Sequence, residues 1–127
     1  VFIRHTHVAK EVDEREFFYG TESGGTVVST ALDMMDKILE ERYSDGTWNV
    51  YGAQATDGDN VKQDNEKCTQ LLEKMIPDLQ AYFYLEIDRN GGMNPWGRSS
   101  SDLWPDMEKF QQQHPESFFM AKAAKPS

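Results

Sequence analysis

The stretch WNVYGAQATDGDN, residues 48–60, decides the predicted fold. Its first part is mostly apolar and predicts a buried strand, which stops at two carboxylates, Asp57 and Asp59. Ligands and metal ions bind parallel α/β sheets just beyond the carboxyl ends of the strands, where loops place polar groups over an apolar floor. Asp57 is therefore the leading candidate for a site residue.

Strands and helices alternate along the rest of the chain. Apolar residues recur at helical spacing in some segments and at strand-like density in the segments between them. We predict helices over residues 27–39, 64–76 and 101–113, the second capped by Asp64 and the third by Ser101 or Asp102. Strands are predicted over residues 1–6, 7–13, 47–55, 81–87 and from 118 onward, and residues 7–13 could pair beside residues 1–6 as a short polar edge strand. This order predicts an α/β fold, with a mostly parallel sheet flanked by helices on both faces. At 127 residues the chain is expected to form a single domain.

The composition restricts the classes of partner. The net charge of −9 argues against nucleic acid and anionic membranes, which attract clusters of Lys and Arg, but it is compatible with a divalent cation. The single cysteine, Cys68, cannot form an internal disulfide, which favours a cytoplasmic or otherwise reducing location. No apolar run approaches the length of about 20 residues that a membrane span needs.

A glycine-containing loop precedes the first long helix. Thr26 follows Gly24 and Gly25 there, and its hydroxyl can either cap the helix or bind a ligand. The loop lacks the ending of a P-loop and the spacing of a dinucleotide fingerprint, so nucleotide binding is not expected. Asp57 and Asp59 have two interpretations as well, an acidic turn or a site. Together with Thr26, they offer the hard oxygen ligands that Mg²⁺ and Mn²⁺ prefer.

Several blocks of sequence, in the same order, resemble the YeaH/YhbH family of uncharacterised bacterial proteins. They include Val-Phe-Ile-Arg-His-Thr at 1–6, Ala-Lys-Glu-Val-Asp-Glu at 9–14, Gly-Gly-Thr at 24–26, Trp-Asn-Val-Tyr at 48–51 and Asp-Gly-Asp-Asn at 57–60. The resemblance covers nearly the whole chain. The C-terminal half of these proteins is similar to a von Willebrand factor A domain. The resemblance therefore implies a von Willebrand factor A-like (Rossmann-like) fold over residues 1–127, truncated at the N-terminus.

Von Willebrand factor A domains typically carry a metal-ion-dependent adhesion site, and the resemblance implies two of its ligands here. Thr26 is similar to the threonine before the second helix, and Asp57 is similar to the aspartate that ends the fourth strand. Asp59 would lie just outside this ligand set. The third element, an Asp-x-Ser-x-Ser loop, has no counterpart in residues 1–127. The resemblance thus implies Mg²⁺ or Mn²⁺ in the full-length protein and weak or no binding by this chain alone.

The chain opens within a strand-like run and without an initiator Met, so we expect it to be a fragment. The strand that the resemblance implies to be absent is the central one of the sheet. Its loss would leave neighbouring strands with unpaired backbone groups. We therefore expect residues 1–6 to pair directly with the 47–55 strand, or two copies of the chain to associate through exposed sheet edges.

Other chemistry-bearing residues have plainer interpretations. His5 and His7 share one side of a predicted strand, but no third metal ligand is evident beside them. Cys68 falls at an apolar helical position and is expected in the core. Trp48 and Trp104 are expected to serve packing. Trp96 lies in the loop at residues 89–101, where we expect it either to form part of a partner surface or to be exposed only because the rest of the protein is absent.

Two classes of function follow. The first is a protein-interaction module whose metal ion binds a carboxylate donated by a partner. The resemblance further implies that the partner is a serine/threonine kinase of the PrkA type. The second is a metal-assisted phosphoester hydrolase that uses Asp57 and Asp59, with His5 or His7 as the base. The interaction module is favoured, because no nucleophile stands beside a base in a recognisable motif.

Overall fold

The computed structural model describes residues 1–19, 26–88 and 101–124. The described chain contains the following strands and helices: β1 (Phe2–His5), β2 (Ala9–Val12), α1 (Glu14–Tyr19), α2 (Val28–Arg42), β3 (Tyr51–Thr56), α3 (Asn65–Met75), β4 (Ala81–Asp88), α4 (Trp104–Gln113) and β5 (Phe118–Ala124). Contacts divide the chain into two compact units. The first comprises Val1–Trp48 and Asn60–Lys74, and the second comprises Asn49–Asp59 and Met75–Ser127.

The first unit begins with a β-hairpin. β1 and β2 run antiparallel, with Phe2 opposite Val12 and His5 opposite Ala9. The predicted pairing of residues 1–6 with the 47–55 strand is therefore wrong, whereas their pairing with residues 7–13 is confirmed. A strand that follows after a short turn is a cheaper partner, because closing a short loop costs little conformational entropy.

Helix α2 packs on this hairpin. The backbone N–H of Val27 donates a 2.8 Å hydrogen bond to the carbonyl of Thr6, which ties the start of the helix to the end of β1. At the other end, the guanidinium of Arg42 forms two 2.7 Å hydrogen bonds with the carboxylate of Glu11. Of the apolar residues that recur along the helix, Val28, Leu32, Ile38 and Leu39 are buried. The core of this unit consists of Val12, Val28, Leu32, Ile38, Leu39, Cys68 and Leu72.

The second unit is built on a parallel sheet with the strand order β3-β4-β5. Thr56, Glu86 and Lys122 lie side by side across it, one on each strand. Helix α4 covers one face. The rings of Tyr84 and Trp104 lie 6.1 Å apart, and those of Phe110 and Phe118 lie 5.0 Å apart. The core of this unit includes Tyr82, Tyr84, Leu103, Met107, Phe110 and Phe118.

The opposite face of this sheet carries exposed aromatic side chains. Phe83 and Phe119 stack with their centroids 5.4 Å apart, and they are 46% and 39% exposed. They alternate with the buried residues because successive side chains of a strand point to opposite faces. The predicted burial of this sheet on both faces therefore does not extend to these residues.

Strand β3 begins later than predicted. Residues 47–50 lie outside it, and Trp48 is 57% exposed. The indole packs edge-on against the ring of Tyr43, at 5.2 Å, instead of entering the core. The prediction of a buried strand over residues 47–55 was thus wrong for residues 47–50, and within β3 Tyr51, Ala53 and Ala55 are exposed. None of the described helices is long and apolar enough to cross a membrane.

Candidate functional site

Asp57 begins the loop that follows β3. Its Oδ1 atom accepts a 3.0 Å hydrogen bond from the backbone N–H of Asp59, and Oγ1 of Thr56 accepts a 3.1 Å bond from the N–H of Gly58. Asp and Thr side chains commonly close turns in this way. The predicted acidic turn therefore exists, and it holds Asp57, half-buried, at the carboxyl end of a parallel strand.

Gly58 is the one residue of this turn with a positive φ, +86°. A Cβ atom at this position would collide with Oε1 of Glu86 and with Oγ of Ser101, and would lie 2.8 Å from Cδ of Glu86. Glycine is therefore required at this position for two reasons: its backbone adopts a positive φ easily, and it has no side chain to collide with Glu86 and Ser101. The chain of the turn can approach Glu86 this closely only because Gly58 has no side chain.

Glu86 is a buried carboxyl group, only 4% exposed, near the carboxyl end of β4. Its Oε1 atom accepts a hydrogen bond from the hydroxyl of Ser101 and a longer one, 3.4 Å, from that of Tyr84. Burial raises the pKa of Glu86, and the charge of Asp57 raises it further. The hydrogen bond from Ser101 and the charge of Lys122 oppose this rise.

Ser101 joins Glu86 to the start of helix α4. Its Oγ atom accepts a 2.9 Å hydrogen bond from the backbone N–H of Trp104, so of the two predicted caps Ser101 is the one that bonds to the first turn, although the N-cap position itself is Leu103. The backbone N–H groups of Asp102 and Leu103 both donate to the carbonyl of Gly58, at 3.1 Å. The turn after β3 and the beginning of α4 are therefore held together by backbone bonds as well as by Glu86.

The N-terminus of helix α2, in the first unit, has an unexpected cap. Its N-cap residue, Val27, provides no side-chain hydrogen bond. Instead, Oδ1 of Asn60 accepts a 3.0 Å bond from the N–H of Val28, and Oδ2 of Asp64 accepts a 2.9 Å bond from that of Ser29. The hydroxyl of Ser29 also donates to Oδ1 of Asp64.

Two sequence predictions are corrected by this arrangement. The hydroxyl of Thr26 does not cap α2, because residues from a later segment supply the acceptors. Asp64 does not cap α3, the helix that directly follows it, because its carboxylate is directed to Ser29 at the start of α2. A distant carboxylate can replace a local cap, since the first turn of any helix presents unsatisfied N–H groups and a positive dipole end.

Asn60 and Asp64 form one hydrogen-bonded cluster. Nδ2 of Asn60 donates to Oδ1 of Asn65 at 2.8 Å and to Oδ2 of Asp64 at 3.2 Å, and the thiol of Cys68 lies 3.4 Å from the same Asp64 oxygen. Burial raises the pKa of Asp64, but the hydrogen bonds from Ser29, Asn60 and Cys68 outweigh it and leave the pKa below its ordinary value. Burial and the neighbouring carboxylate raise the pKa of the Cys68 thiol, which is a buried core residue as predicted.

The predicted site residues fall in different parts of the chain. Asp57 and Asp59 lie together in the second unit, while Thr26, half-buried, belongs to the first, so the pairing of Thr26 with Asp57 stays a prediction. His5 lies in β1, but His7 is exposed beyond its end, and the two do not share a strand face. Within residues 1–19, 26–88 and 101–124, no group of three or more His, Cys, Asp or Glu side chains is arranged to hold a metal ion. Trp96 lies outside the described residues.

Sequence reasoning missed the role of Glu86 and the capping role of Asn60 and Asp64. A signal for Glu86 was present, because strand alternation places it on the same face as Tyr82 and Tyr84. For the caps there was none, because these residues lie 32 and 35 positions from the backbone groups that they satisfy.

Comparison with known proteins gives consistent matches. The model of a family described as a protein of unknown function, DUF444, matches residues 1–127. A UPF0229 protein of Vibrio parahaemolyticus is 51% identical over 116 residues, which cover 91% of this chain and 26% of that protein. A UPF0229 protein of Mesorhizobium japonicum is 48% identical over 130 residues, which cover 100% of this chain and 30% of that protein. The chain thus spans between a quarter and a third of the length of these curated relatives. No solved structure matches it.

Proposed function

The chain belongs to the DUF444 family of uncharacterised bacterial proteins, and we propose that it is part of a von Willebrand factor A-like interaction module. In this proposal Thr26 and Asp57 are ligands of one Mg²⁺ or Mn²⁺ ion, and Asp59 lies just outside the ligand set. A carboxylate from a protein partner completes the octahedral coordination, as hard oxygen ligands suit these ions.

The capping of helix α2 is the observation that carries the proposal. Asn60 and Asp64 accept hydrogen bonds from the first N–H groups of the helix, so Thr26 is not required as its cap. The main alternative use of that hydroxyl is thereby removed.

The loop of Asp57 supports the proposal in a second way. A metal ligand must be held in a defined orientation, and the bonds from Asp59 to Asp57 and from Gly58 to Thr56 fix this turn. Asp57 also lies at the carboxyl end of a parallel strand, the place where α/β sheets bind ligands.

We propose that the partner binds the full-length protein rather than residues 1–127 alone. Because the chain matches only part of its relatives, the remaining metal ligands and the partner's contacts are proposed to lie partly outside residues 1–127. A serine/threonine kinase of the PrkA type, implied by the resemblance, is the first partner to test.

An amide NMR titration of this chain with Mg²⁺ tests the metal site, since residue-specific shifts report even weak binding. We expect shifts that saturate at Thr26, Gly58 and Asp59, and Mn²⁺ should broaden the same signals. Asp57→Asn and Thr26→Val should each weaken the response. Asp78→Asn, an exposed change elsewhere, should not.

Equal shifts in the Asp57→Asn variant would show that the acidic chain binds cations without this site. The partner is then tested with the full-length protein, by capture of the purified kinase in Mg²⁺ and in EDTA. Capture that persists in EDTA, or in the Asp57→Asn variant, would contradict a metal-dependent interface.

A further inference from the structure

We propose that Glu86 is a positioning residue for Asp57: it holds Gly58 and Ser101 together, and so fixes the turn that carries the candidate metal ligand. The inference rests on the proposed function for its consequence in metal binding. The contacts of Glu86 with Gly58 and Ser101, called the clamp below, lie within the second unit and do not depend on a metal ion.

Glu86 is buried although its side chain is a carboxyl group. It is the only buried Asp or Glu side chain that the described part of the second unit contains, at 4% exposed. Burying a carboxyl group is costly, and an apolar residue of similar size would fill the same volume without that cost. A polar group kept at such a position therefore has a use beyond packing.

The contacts of Glu86 identify that use. Oε1 lies against the bare Cα of Gly58 on one side and accepts the hydrogen bond of Ser101 on the other. The carbonyl of Gly58 in turn accepts hydrogen bonds from the N–H groups of Asp102 and Leu103. The turn after β3 is therefore held between β4 and the beginning of α4. Glu86, on β4, contacts both Gly58 in the turn and Ser101 before α4.

Asp57 is the residue that this clamp orients. It stands between Thr56, whose hydroxyl is bonded to Gly58, and Gly58 itself. A shift of Gly58 would rotate the peptide that follows Asp57 and break the bond from Asp59 to its carboxylate. Ligand groups lose affinity when their supporting residues let them move by fractions of an ångström.

Three variants of this chain separate positioning from packing. Glu86→Gln keeps an oxygen that can accept from Ser101, Glu86→Ala removes it, and Glu116→Gln is a control at an exposed glutamate of the same unit. Amide hydrogen exchange of Asp102 and Leu103 reports the clamp without any metal. Glu86→Ala should accelerate this exchange by about tenfold, the effect of losing one net hydrogen bond, while Glu86→Gln and the control leave it close to the original rate.

The Mg²⁺ titration then reports the consequence for Asp57. Glu86→Ala should abolish the shift of the Asp59 amide, and Glu86→Gln should restore it. Unchanged exchange and unchanged shifts in Glu86→Ala would overturn the proposal. A third outcome separates the two proposals. If Glu86→Ala loses exchange protection but the unaltered chain shows no Mg²⁺ response, the clamp is confirmed and the metal site is rejected. If Glu86→Ala does not fold, Ser101→Ala removes the bond from the other side, and unchanged exchange at Leu103 in that variant would also overturn the proposal.

Discussion

Asn60 accepts a 3.0 Å hydrogen bond from the backbone N–H of Val28 and so caps a helix that begins 32 positions earlier in the chain. The cap is buried, with Asn60 only 9% exposed. A cap of this kind serves two purposes at once. It satisfies an N–H group that the helix cannot satisfy itself, and it joins two segments of the first unit that are far apart in the chain.

Replacement of Asn60 by alanine should destabilise the chain. The N–H of Val28 would be left unsatisfied in a buried position, which costs about 1–3 kcal/mol. Urea unfolding followed by circular dichroism measures the loss. Asn49→Ala, at an exposed asparagine, is the matched control and should change the free energy of unfolding by less than about 0.5 kcal/mol. Equal effects of the two variants would show that the cap contributes nothing.

The stabilising effect of Asp64 should depend on pH. Its pKa is lowered in the folded chain from an ordinary value of 3.8, so the ionised form stabilises the fold and this contribution is present above pH 3.8. It is lost as the pH falls through the folded-state pKa below that value. The difference in unfolding free energy between the original chain and Asp64→Asn should therefore shrink on acidification below pH 3.8. A difference that stays constant between neutral pH and that range would contradict the assigned hydrogen bonds.

Gly58→Ala should be far more damaging than Gly46→Ala. Both glycines have positive φ, +86° and +80°, so each substitution carries a backbone cost of about 1–2 kcal/mol. Gly46 has nothing within 4 Å of an added Cβ, whereas Gly58 meets Glu86 and Ser101. The clash should add about 1–3 kcal/mol at Gly58. Thermal unfolding of both variants tests this, and equal melting temperatures would disprove the close approach of Glu86.

Glu86→Gln should stabilise the chain at neutral pH. Burial raises the pKa of Glu86 above its ordinary value of 4.5, so ionising it in the fold costs free energy. This cost is absent below pH 4.5, grows as the pH rises towards the folded-state pKa, and is constant above it. The advantage of glutamine should therefore increase with pH over that window and then level off. Unfolding measured from pH 4 to 8 decides the point, and an advantage that falls with rising pH would reverse the assignment.

The sequence alone predicted the elements that depend on residues close to each other in the chain. Helix α4 and strand β4 lie where the spacing of Trp104, Met107 and Phe110 and the density of aromatic residues in 81–87 predicted them. The turn at Asp57 and the cap at Ser101 were also predictable, because both depend on side chains that bond to backbone groups within a few positions.

The remaining features depend on contacts between distant segments. Asp64 directly precedes α3 and is a residue type that commonly caps the following helix. Its carboxylate instead binds Ser29, 35 positions away, which donates from its hydroxyl as well as from its backbone N–H. Such a contact leaves no periodic pattern. Strand β1 pairs with β2, a short polar strand that follows it closely in the chain, and the short intervening loop favours this pairing over one with the distant β3.

The exposed face of the β3-β4-β5 sheet should cause self-association of this chain. Phe83 and Phe119 are stacked on it, Tyr51 is 63% exposed on β3, and β3 pairs on one side only within the described residues. An unpaired strand edge beside an apolar face is a surface for a second copy of the chain. Sedimentation velocity over a wide range of protein concentration should show a concentration-dependent increase in the average sedimentation coefficient.

Two lysine substitutions identify the surface responsible. Phe83→Lys places a charge at the centre of this face and should return the chain to a monomer, because burying an unpaired charge in an interface is costly. Val61→Lys changes a residue of similar exposure in the first unit, 49% against 46%, and should leave the association unchanged. Association that survives Phe83→Lys but not Val61→Lys would move the interface to the first unit. A monomer at every concentration would instead mean that the exposed aromatic face does not attract a second copy of this chain.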